Sequence, residues 1–301
     1  MPKFTPEERA LLEPYVTSAD GDIFVVKNIP GIVGAVFARY SRARGGFRET
    51  FLKEFLKEGV LDPIRAKDLL ERVLIGFGDD SVGELEGTYV SFENVSILAS
   101  KEIEERRIGG SPIEQSTRYV FYDMPGDDGR FRYHRPPEIM SSPHAAHYIK
   151  TMDAIFSTYG ALIEPMQEFY KRLKPIDEAE YDVVGDGVKR RLTDLADEKQ
   201  AKSFRTTYAM DIRTKTCDTL RCILPLATQT HVGVFGNGRF FQYALSHCFT
   251  SDLPEANDIA RRAQFELEKI IPAYVKRAKR QEYQAANRER MFALADGLLD
   301  G

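Results

Sequence analysis

The sequence predicts a helix-rich α/β (α+β) chain with a modest mixed or antiparallel sheet. Three observations lead there. Long segments follow a helical repeat, the segments rich in β-branched and aromatic residues are short, and the composition is that of an ordinary globular chain, 43% hydrophobic and 29% charged. A length of 301 residues allows two domains, or one large domain with extensions, at roughly 150 residues per domain.

Thr5-Pro6-Glu7-Glu8 opens the first helix, with Thr as cap, Pro at the first helical position and acids in the first turn. Asp22–Val26 reads as a strand, and Asn28-Ile29-Pro30-Gly31 as the turn behind it. Val33–Arg42, Phe47–Lys57 and Pro63–Leu74 read as helices, the last with Ile64, Leu69, Leu70 and Val73 inward. Gly76–Asp80 is a break, and Ser81-Val82-Gly83-Glu84 has the form of a capping box. Thr88–Phe92 favours a strand, and Ser96–Arg107 a helix with its arginines last. No helix continues through Gly109-Gly110-Ser111-Pro112.

Tyr119–Phe121 is β-prone, and Met124–Pro137 is a loop. Pro143 opens a long helix to about Leu173, Pro175–Arg191 is polar and irregular, and Lys199–Ile223 is helical up to Pro225. Thr228–Val234 reads as a strand, and Phe235-Gly236-Asn237-Gly238 as a turn. Arg239–Cys248 is helical with aromatics on one face. Pro254–Ile271 repeats through Ile259, Ala263, Leu267 and Ile270. A last helix from Ala273 carries Lys276, Arg277, Lys279 and Arg280, expected as one solvated face.

Charge and cysteine content exclude several classes. Forty-two Lys and Arg against 46 Asp and Glu leave a net charge of −4, which disfavours a long nucleic acid as partner. Three cysteines, Cys217, Cys222 and Cys248, without CxxC spacing, argue against a disulfide framework and a structural zinc. Cys217 and Cys222 are expected as small buried hydrophobes. The start, MPKFTPEERALLEPYV, has no apolar run to serve as a signal peptide. No stretch approaches about 18 uncharged apolar residues. The expectation is a soluble, cytoplasmic protein without a membrane partner.

Chemistry concentrates beside three turns. Arg106–Tyr119 (RRIGGSPIEQSTRY) places three arginines, hydroxyl residues and a glutamate around a Gly-Gly bend. Such a loop offers backbone N–H groups and charge-assisted bonds to an anion; its plainer reading is a solvated loop. Arg221-Cys222-Ile223-Leu224-Pro225 puts an arginine at a helix end, where the helix dipole alone favours a cation. Phe235-Gly236-Asn237-Gly238-Arg239 permits close approach of a ligand, although its glycines suit any tight turn. His144 and His147 are three apart on a helix with no Asp, Glu or Cys to complete a metal site. The 14 Tyr and 19 Phe offer rings for stacking on a flavin or a base.

In order and spacing these regions resemble the flavin-dependent thymidylate synthase family. Ser81-Val82-Gly83-Glu84 stands for the family's Ser-Val-x-Glu-His, and Arg106-Arg107 through Ser116-Thr117-Arg118-Tyr119 for its Arg-His-Arg and Ser-x-Arg-Tyr. Arg221 to Pro225 matches Arg-x-x-Leu-Pro, and Asn237-Gly238-Arg239 matches Asn-x-Arg. The likeness spans about Gly76 to Ile271 and is thinnest from Pro125 to Glu198. It implies a family-like core over residues 76–301, with a helical insertion around 125–198 and an N-terminal α/β extension over 1–75. The start FVVKNIPGIVGAVFARYSRARGGFRETFL and the segment GFGDDSVGELEG resemble the N-terminal half of longer tandem members.

The resemblance implies reductive methylation of dUMP, or a related uridine nucleotide, with FAD as cofactor and NADPH and methylenetetrahydrofolate as co-substrates. It also implies a cytoplasmic homotetramer with active sites at subunit interfaces, and no cysteine that attacks the base. Ser81, Glu84, Arg106, Arg107, Asn237 and Arg239 fall where the family contacts FAD. Glu102, Glu114, Ser116, Arg118 and Arg221 fall on the nucleotide side, with Ser116, Arg118 and Arg221 as the phosphate clamp. No residue is assigned as catalytic, and no metal is implied.

The departures cluster. The Arg-His-Arg reads Glu105-Arg106-Arg107 with one extra residue before Ser111, or Arg106-Arg107-Ile108 without that gap. The family's glutamine three residues earlier is Glu102, and the histidine after Glu84 is Leu85. Cys248, beside His247, replaces the arginine that polarises the uracil. Two readings follow: a flavin-dependent thymidylate synthase or a component of one, and a catalytically degenerate nucleotide- or flavin-binding subunit that supports assembly. Both expect an oligomer or a partner half, because the aromatic-rich Phe235–Phe249 would otherwise be an exposed apolar patch.

Overall fold

The computed structural model describes residues 4–16, 19, 32–40, 47–57, 60–76, 80–106, 108–126, 128–195 and 197–299. The expected strand Asp22–Val26 and the turn behind it lie outside these residues. Helix α1 (Pro6–Leu12) carries the capping box read from the sequence. Thr5 N donates to Glu8 Oε2 at 2.8 Å, and Glu8 N to Thr5 Oγ1 at 3.2 Å. Helix α2 (Val33–Tyr40) follows, then α3 (Phe47–Thr50), which passes into a π-helical turn, Phe51–Phe55. The helix expected through Lys57 therefore ends early, and β1 (Leu56–Lys57) pairs antiparallel with β2 (Val60–Leu61).

Helix α4 (Pro63–Leu70) starts where Asp62 accepts from Arg65 N at 3.0 Å, and it ends in a π-helical turn, Glu71–Gly76. Leu70 and Val73 are buried as expected, but Ile64 is 73% exposed and Ala66 takes its place inside. Ala66, Leu70 and Val73 share one face at i, i+4 and i+7, and Ile64, two residues before Ala66, lies on the opposite side of the helix. A 3₁₀ turn, Asp80–Leu85, leads to β3 (Gly87–Ser96) and α5 (Ile97–Glu104).

Strand β4 (Gly110–Glu114) and β5 (Gln229–Asn237) complete a sheet of order β3-β5-β4. Gly238 N donates to Glu86 O at 2.8 Å and Ile97 N to Thr228 O at 2.9 Å; Asn237 N donates to Gly109 O at 2.9 Å and Gln115 N to His231 O at 2.8 Å. Residue numbers fall on one chain as they rise on the other, so β5 is antiparallel to both neighbours. Its buried residues alternate, Thr230, Val232, Val234 and Gly236, the period of a strand.

The third strand is thus Gly110–Glu114 and not the β-prone Tyr119–Phe121, which begins inside a turn. Pairing with β5 overrides weak local propensity, and Pro112 is tolerated because β4 is an edge. Likewise β5 runs on through Phe235–Asn237, where the glycines suggested a turn.

Two compact units result. The first contains Met1–Ser91, Lys101–Ile113 and Gly233–Gly301. Its centre is α9 (Gly238–Thr250), packed with α10 (Pro254–Leu267) and α11 (Pro272–Val275). Phe240, Phe241, Leu245 and Cys248 of α9 are buried, as are Ile259, Ala263 and Leu267 of α10. The aromatic segment expected as an exposed patch is therefore largely core, and only Phe235 and Tyr243 remain exposed. After α11 the chain turns before α12 (Glu282–Leu299), so the basic cluster is not one helix face. Lys276 reaches Glu71 at 3.6 Å, and Arg280 reaches Glu282 at 3.4 Å.

The second unit contains Phe92–Ser100 and Glu114–Val232. A short α6 (Pro137–Met140) precedes α7 (Ala145–Leu173), which packs along α8 (Glu198–Leu220). One core cluster joins Tyr122, Tyr133, Phe156, Tyr159 and Leu220, and another joins Ala179, Phe204, Tyr208 and Ile212. Cys217 is buried as expected, whereas Cys222 lies exposed in the 3₁₀ turn Arg221–Ile223 that ends α8. Among the described residues no helix is long and apolar enough to cross a membrane.

Candidate functional site

In the second unit the chain leaves β4 and turns at Ser116. Tyr119 N donates to Ser116 O at 3.1 Å, and Arg118 N to Ser116 Oγ at 3.2 Å. The turn directs Arg118 to the last turn of α8. There Asp218 accepts from Arg118 Nε at 2.8 Å and from Nη2 at 2.9 Å, a two-bond fork. Arg221, the residue after α8, brings its Nε to 3.5 Å from the same Asp218 Oδ1. The hydrogen bonds to Asp218 raise the Arg118 pKa above its ordinary value. Glu114 is held by a bond from the buried Ser100 hydroxyl at 3.0 Å. Two guanidiniums thus share one carboxylate at an open surface, an arrangement suited to a small anion.

In the first unit Asn237 caps α9, its Oδ1 accepting from Phe240 N at 2.8 Å. Gly109, at φ +81°, lies so close that a Cβ there would stand 2.7 Å from the Asn237 amide. Only glycine suits both the left-handed backbone and the contact. Arg239, one residue into α9, pairs with Glu84 of the 3₁₀ turn.

Two turns further along α9, His247 Nε2 lies 2.6 Å from Glu102 Oε2, and Glu102 Oε1 accepts from Ser251 Oγ at 3.2 Å. Arg106 Nη2 stands 3.0 Å from His247 Nδ1. The same Nη2 lies 3.1 Å from His247 Nε2, so the guanidinium sits against both ring nitrogens. The Arg106 guanidinium also lies 5.7 Å from the Tyr243 ring centroid, and its Nε is buried without an acceptor. Cys248 is 3% exposed, and burial, with Glu102 adding to it, pushes its thiol pKa up to about 12. It is a neutral thiol at physiological pH, unsuited to nucleophilic work.

The structure therefore sorts the candidates read from the sequence. Glu84, Glu102, Arg106, Asn237 and Arg239 fall in the first unit, and Glu114, Ser116, Arg118 and Arg221 in the second. Glu84 meets Arg239; Glu102 and Arg106 meet through His247; Arg118 and Arg221 meet through Asp218. Ser81 lies in the 3₁₀ turn with its side chain outside the described residues, and Arg107 is outside them altogether. Sequence reasoning missed Asp218. Its signal was present, because a carboxylate in the last turn of a helix opposes the helix dipole and calls for a local partner.

The class defined by this helix-rich fold, its small antiparallel sheet and its ordered motifs has a match. The family described as thymidylate synthase complementing protein matches residues 33–273. The chain belongs to that family, the flavin-dependent thymidylate synthases. A UPF0159 protein of Chlamydia pneumoniae is 36% identical over 315 residues, covering 98% of this chain and 55% of the relative. A UPF0159 protein of Thermoplasma acidophilum is 34% identical over 271 residues, covering 89% and 53%. The chain thus spans about half the length of the curated relatives it matches.

Two solved structures are similar at lower levels. One is a UMP/dUMP methylase, PolB, from Streptomyces cacaoi bound with 5-Br dUMP, 14% identical over 84% of this chain and 92% of that one, with a TM-score of 0.47. The other is thymidylate synthase ThyX from Helicobacter pylori with FAD and dUMP, 15% identical over 83% and 93%, with a TM-score of 0.40.

Proposed function

We propose that this chain is a component of a flavin-dependent thymidylate synthase, the reductive methylation of dUMP to dTMP with methylenetetrahydrofolate and NADPH, and that it binds the phosphate of dUMP or a related uridine nucleotide. The observation that carries the reading is the convergence of Arg118 and Arg221 on one carboxylate beside the Ser116 turn. Planar guanidiniums bind phosphate through paired charge-assisted bonds. Glu114 is the acidic neighbour of the nucleotide in this reading.

The first unit fits an acidic cofactor. Arg106 has a buried Nε in need of an acceptor, and Arg239 is half-exposed at the start of α9. Ser81, Glu84, Arg106, Arg107, Asn237 and Arg239 would hold FAD, which supplies hydride transfer when bound. The chain's own residues bind and orient: Asn237 fixes the start of α9, and the Glu102–His247 pair holds the Arg106 guanidinium.

A specific observation favours the second reading for the isolated chain. Cys248 carries no positive charge, and Glu102 sets a carboxylate beside His247 and Arg106, so little cationic stabilisation is left for an anionic transition state. A second half or a second copy would complete the site, in keeping with a cytoplasmic homo-oligomer or homotetramer. Met291, Phe292, Leu294, Leu298 and Leu299 of α12 are all exposed, which supports such a partner.

The test pairs the absorption spectrum of the purified chain with a tritium-release assay on labelled dUMP, FAD, NADPH and methylenetetrahydrofolate. Near-stoichiometric flavin bands with slow turnover are expected. A chain that holds neither flavin nor dUMP overturns the reading, and robust turnover by the chain alone overturns the need for a partner.

A further inference from the structure

We propose that Asp218 is the internal occupant of the phosphate subsite, so that a nucleotide binds by exchanging its phosphate for this carboxylate. The inference rests on the uridine-nucleotide reading and adds the residue that sets how tightly the phosphate is held. Three features of the structure carry it.

The first is geometry. Asp218 presents its two oxygens to Arg118 Nε and Nη2 at 2.8 and 2.9 Å, the side-on fork by which a guanidinium also grips two phosphate oxygens. Arg221 approaches the same Oδ1 at 3.5 Å, so both guanidiniums are already turned toward one point.

The second is charge. One carboxylate facing two guanidiniums leaves a unit of positive charge over, whereas a phosphomonoester dianion balances both. The chemistry that outcompetes Asp218 is therefore a dianion with at least two oxygens on one face, which describes the 5′-phosphate of a nucleoside monophosphate and inorganic phosphate alike.

The third is location. Asp218 lies in the last turn of α8, where the backbone carbonyls form the negative end of the helix dipole. A carboxylate there is unfavourable for the helix itself. The pair is also open: Arg118 is 47% and Asp218 33% exposed, so water competes for both of its bonds. A surface pair that keeps two arginines aligned within reach of water is open to exchange for a better anion. Asp218 thus lowers phosphate affinity while it pre-orients the arginines.

The experiment is calorimetric titration of the full chain at fixed ionic strength with dUMP, with inorganic phosphate and with 2′-deoxyuridine, comparing wild type, Asp218→Asn, Asp218→Ser and Arg118→Ala. Removal of the carboxylate in either Asp218 variant is expected to tighten dUMP and phosphate binding about fivefold, the scale of one exposed ion pair in competition. Deoxyuridine binding should not change. Equal or weaker dUMP binding in both folded Asp218 variants overturns the proposal and makes Asp218 a positioning partner of the arginines. Unchanged dUMP binding in Arg118→Ala is a different failure, because it removes the phosphate reading itself. The two sources of the dianion are separated by comparing the dUMP and phosphate arms: a nucleotide site binds dUMP more tightly than phosphate, and a free-phosphate site does not.

Discussion

Two arginine–acid groups of similar composition stand in the two units, and they differ in enclosure. Arg118, Asp218 and Arg221 are 47%, 33% and 45% exposed. Glu102, His247 and Arg106 are 26%, 20% and 30% exposed, with one Arg106 nitrogen fully buried. Water competes for every bond of the open group, so its members remain available to a ligand. The closed group has less access to water, so its polar atoms depend on partners in the protein or a ligand, and Arg106 Nε has none among the described residues. The open group is therefore built to exchange partners, and the closed one to hold Arg106 in place.

Four substitutions or reactions sharpen this contrast. The largest effect is expected from Cys248→Arg, which would restore the cation that the family pattern has at this position. The side chain it replaces is 3% exposed beside Arg106, so the larger group must overpack α9 and meet a like charge. The cost should be about 3 kcal/mol in chemical denaturation. A variant as stable as wild type would mean that the closed group has room for a second guanidinium.

Next comes His247→Ala, which removes the middle of the Glu102–His247–Arg106 chain and leaves both ends without their partner. About 2 kcal/mol of stability should be lost. Urea melts that coincide with wild type would show the group to be as loosely held as the open one.

The open group should respond in the opposite sense. Arg118→Ala is expected to weaken dUMP binding about thirtyfold, through loss of a charged partner of the phosphate. Its melting temperature should move by less than about 3 °C, since an exposed pair is all that the fold loses. A large drop in melting temperature with intact binding would exchange the roles assigned to the two groups.

The smallest effect reads the thiols. Cys222 is exposed, whereas burial raises the Cys217 thiol pKa and pushes that of Cys248 to about 12. In the folded chain at about pH 8, a disulfide reagent should consume one thiol quickly and two only on unfolding. Fast reaction of a second thiol would show that one of the buried positions opens.

Much of this was legible along the chain. The starts of α1, α8 and α10 and the end of α7 follow from caps, prolines and a 3.6-residue repeat, all of which act over one or two turns, whereas α8 and α10 end at Leu220 and Leu267, sooner than the expected Ile223 and Ile271. β4 was not legible, because Gly110, Ser111 and Pro112 have little strand preference of their own and are ordered by β5. The burial of Phe240 and Phe241 was hidden for a related reason. An aromatic face is apolar whether it meets solvent, a partner or α10 and α11, and only packing says which.

The sequence by itself determined the helix-rich class, the family and the arginines that could take an anion, since these rest on local periodicity and on residue types at fixed spacing. Tertiary structure alone decided what each arginine faces. Arg118 and Asp218 are 100 residues apart, Arg106 and His247 are 141, and Glu84 and Arg239 are 155. A charge finds such a partner only when the chain folds back on itself. Coulomb energy depends on distance through space and on nearness to water, and neither is written in the spacing along the chain.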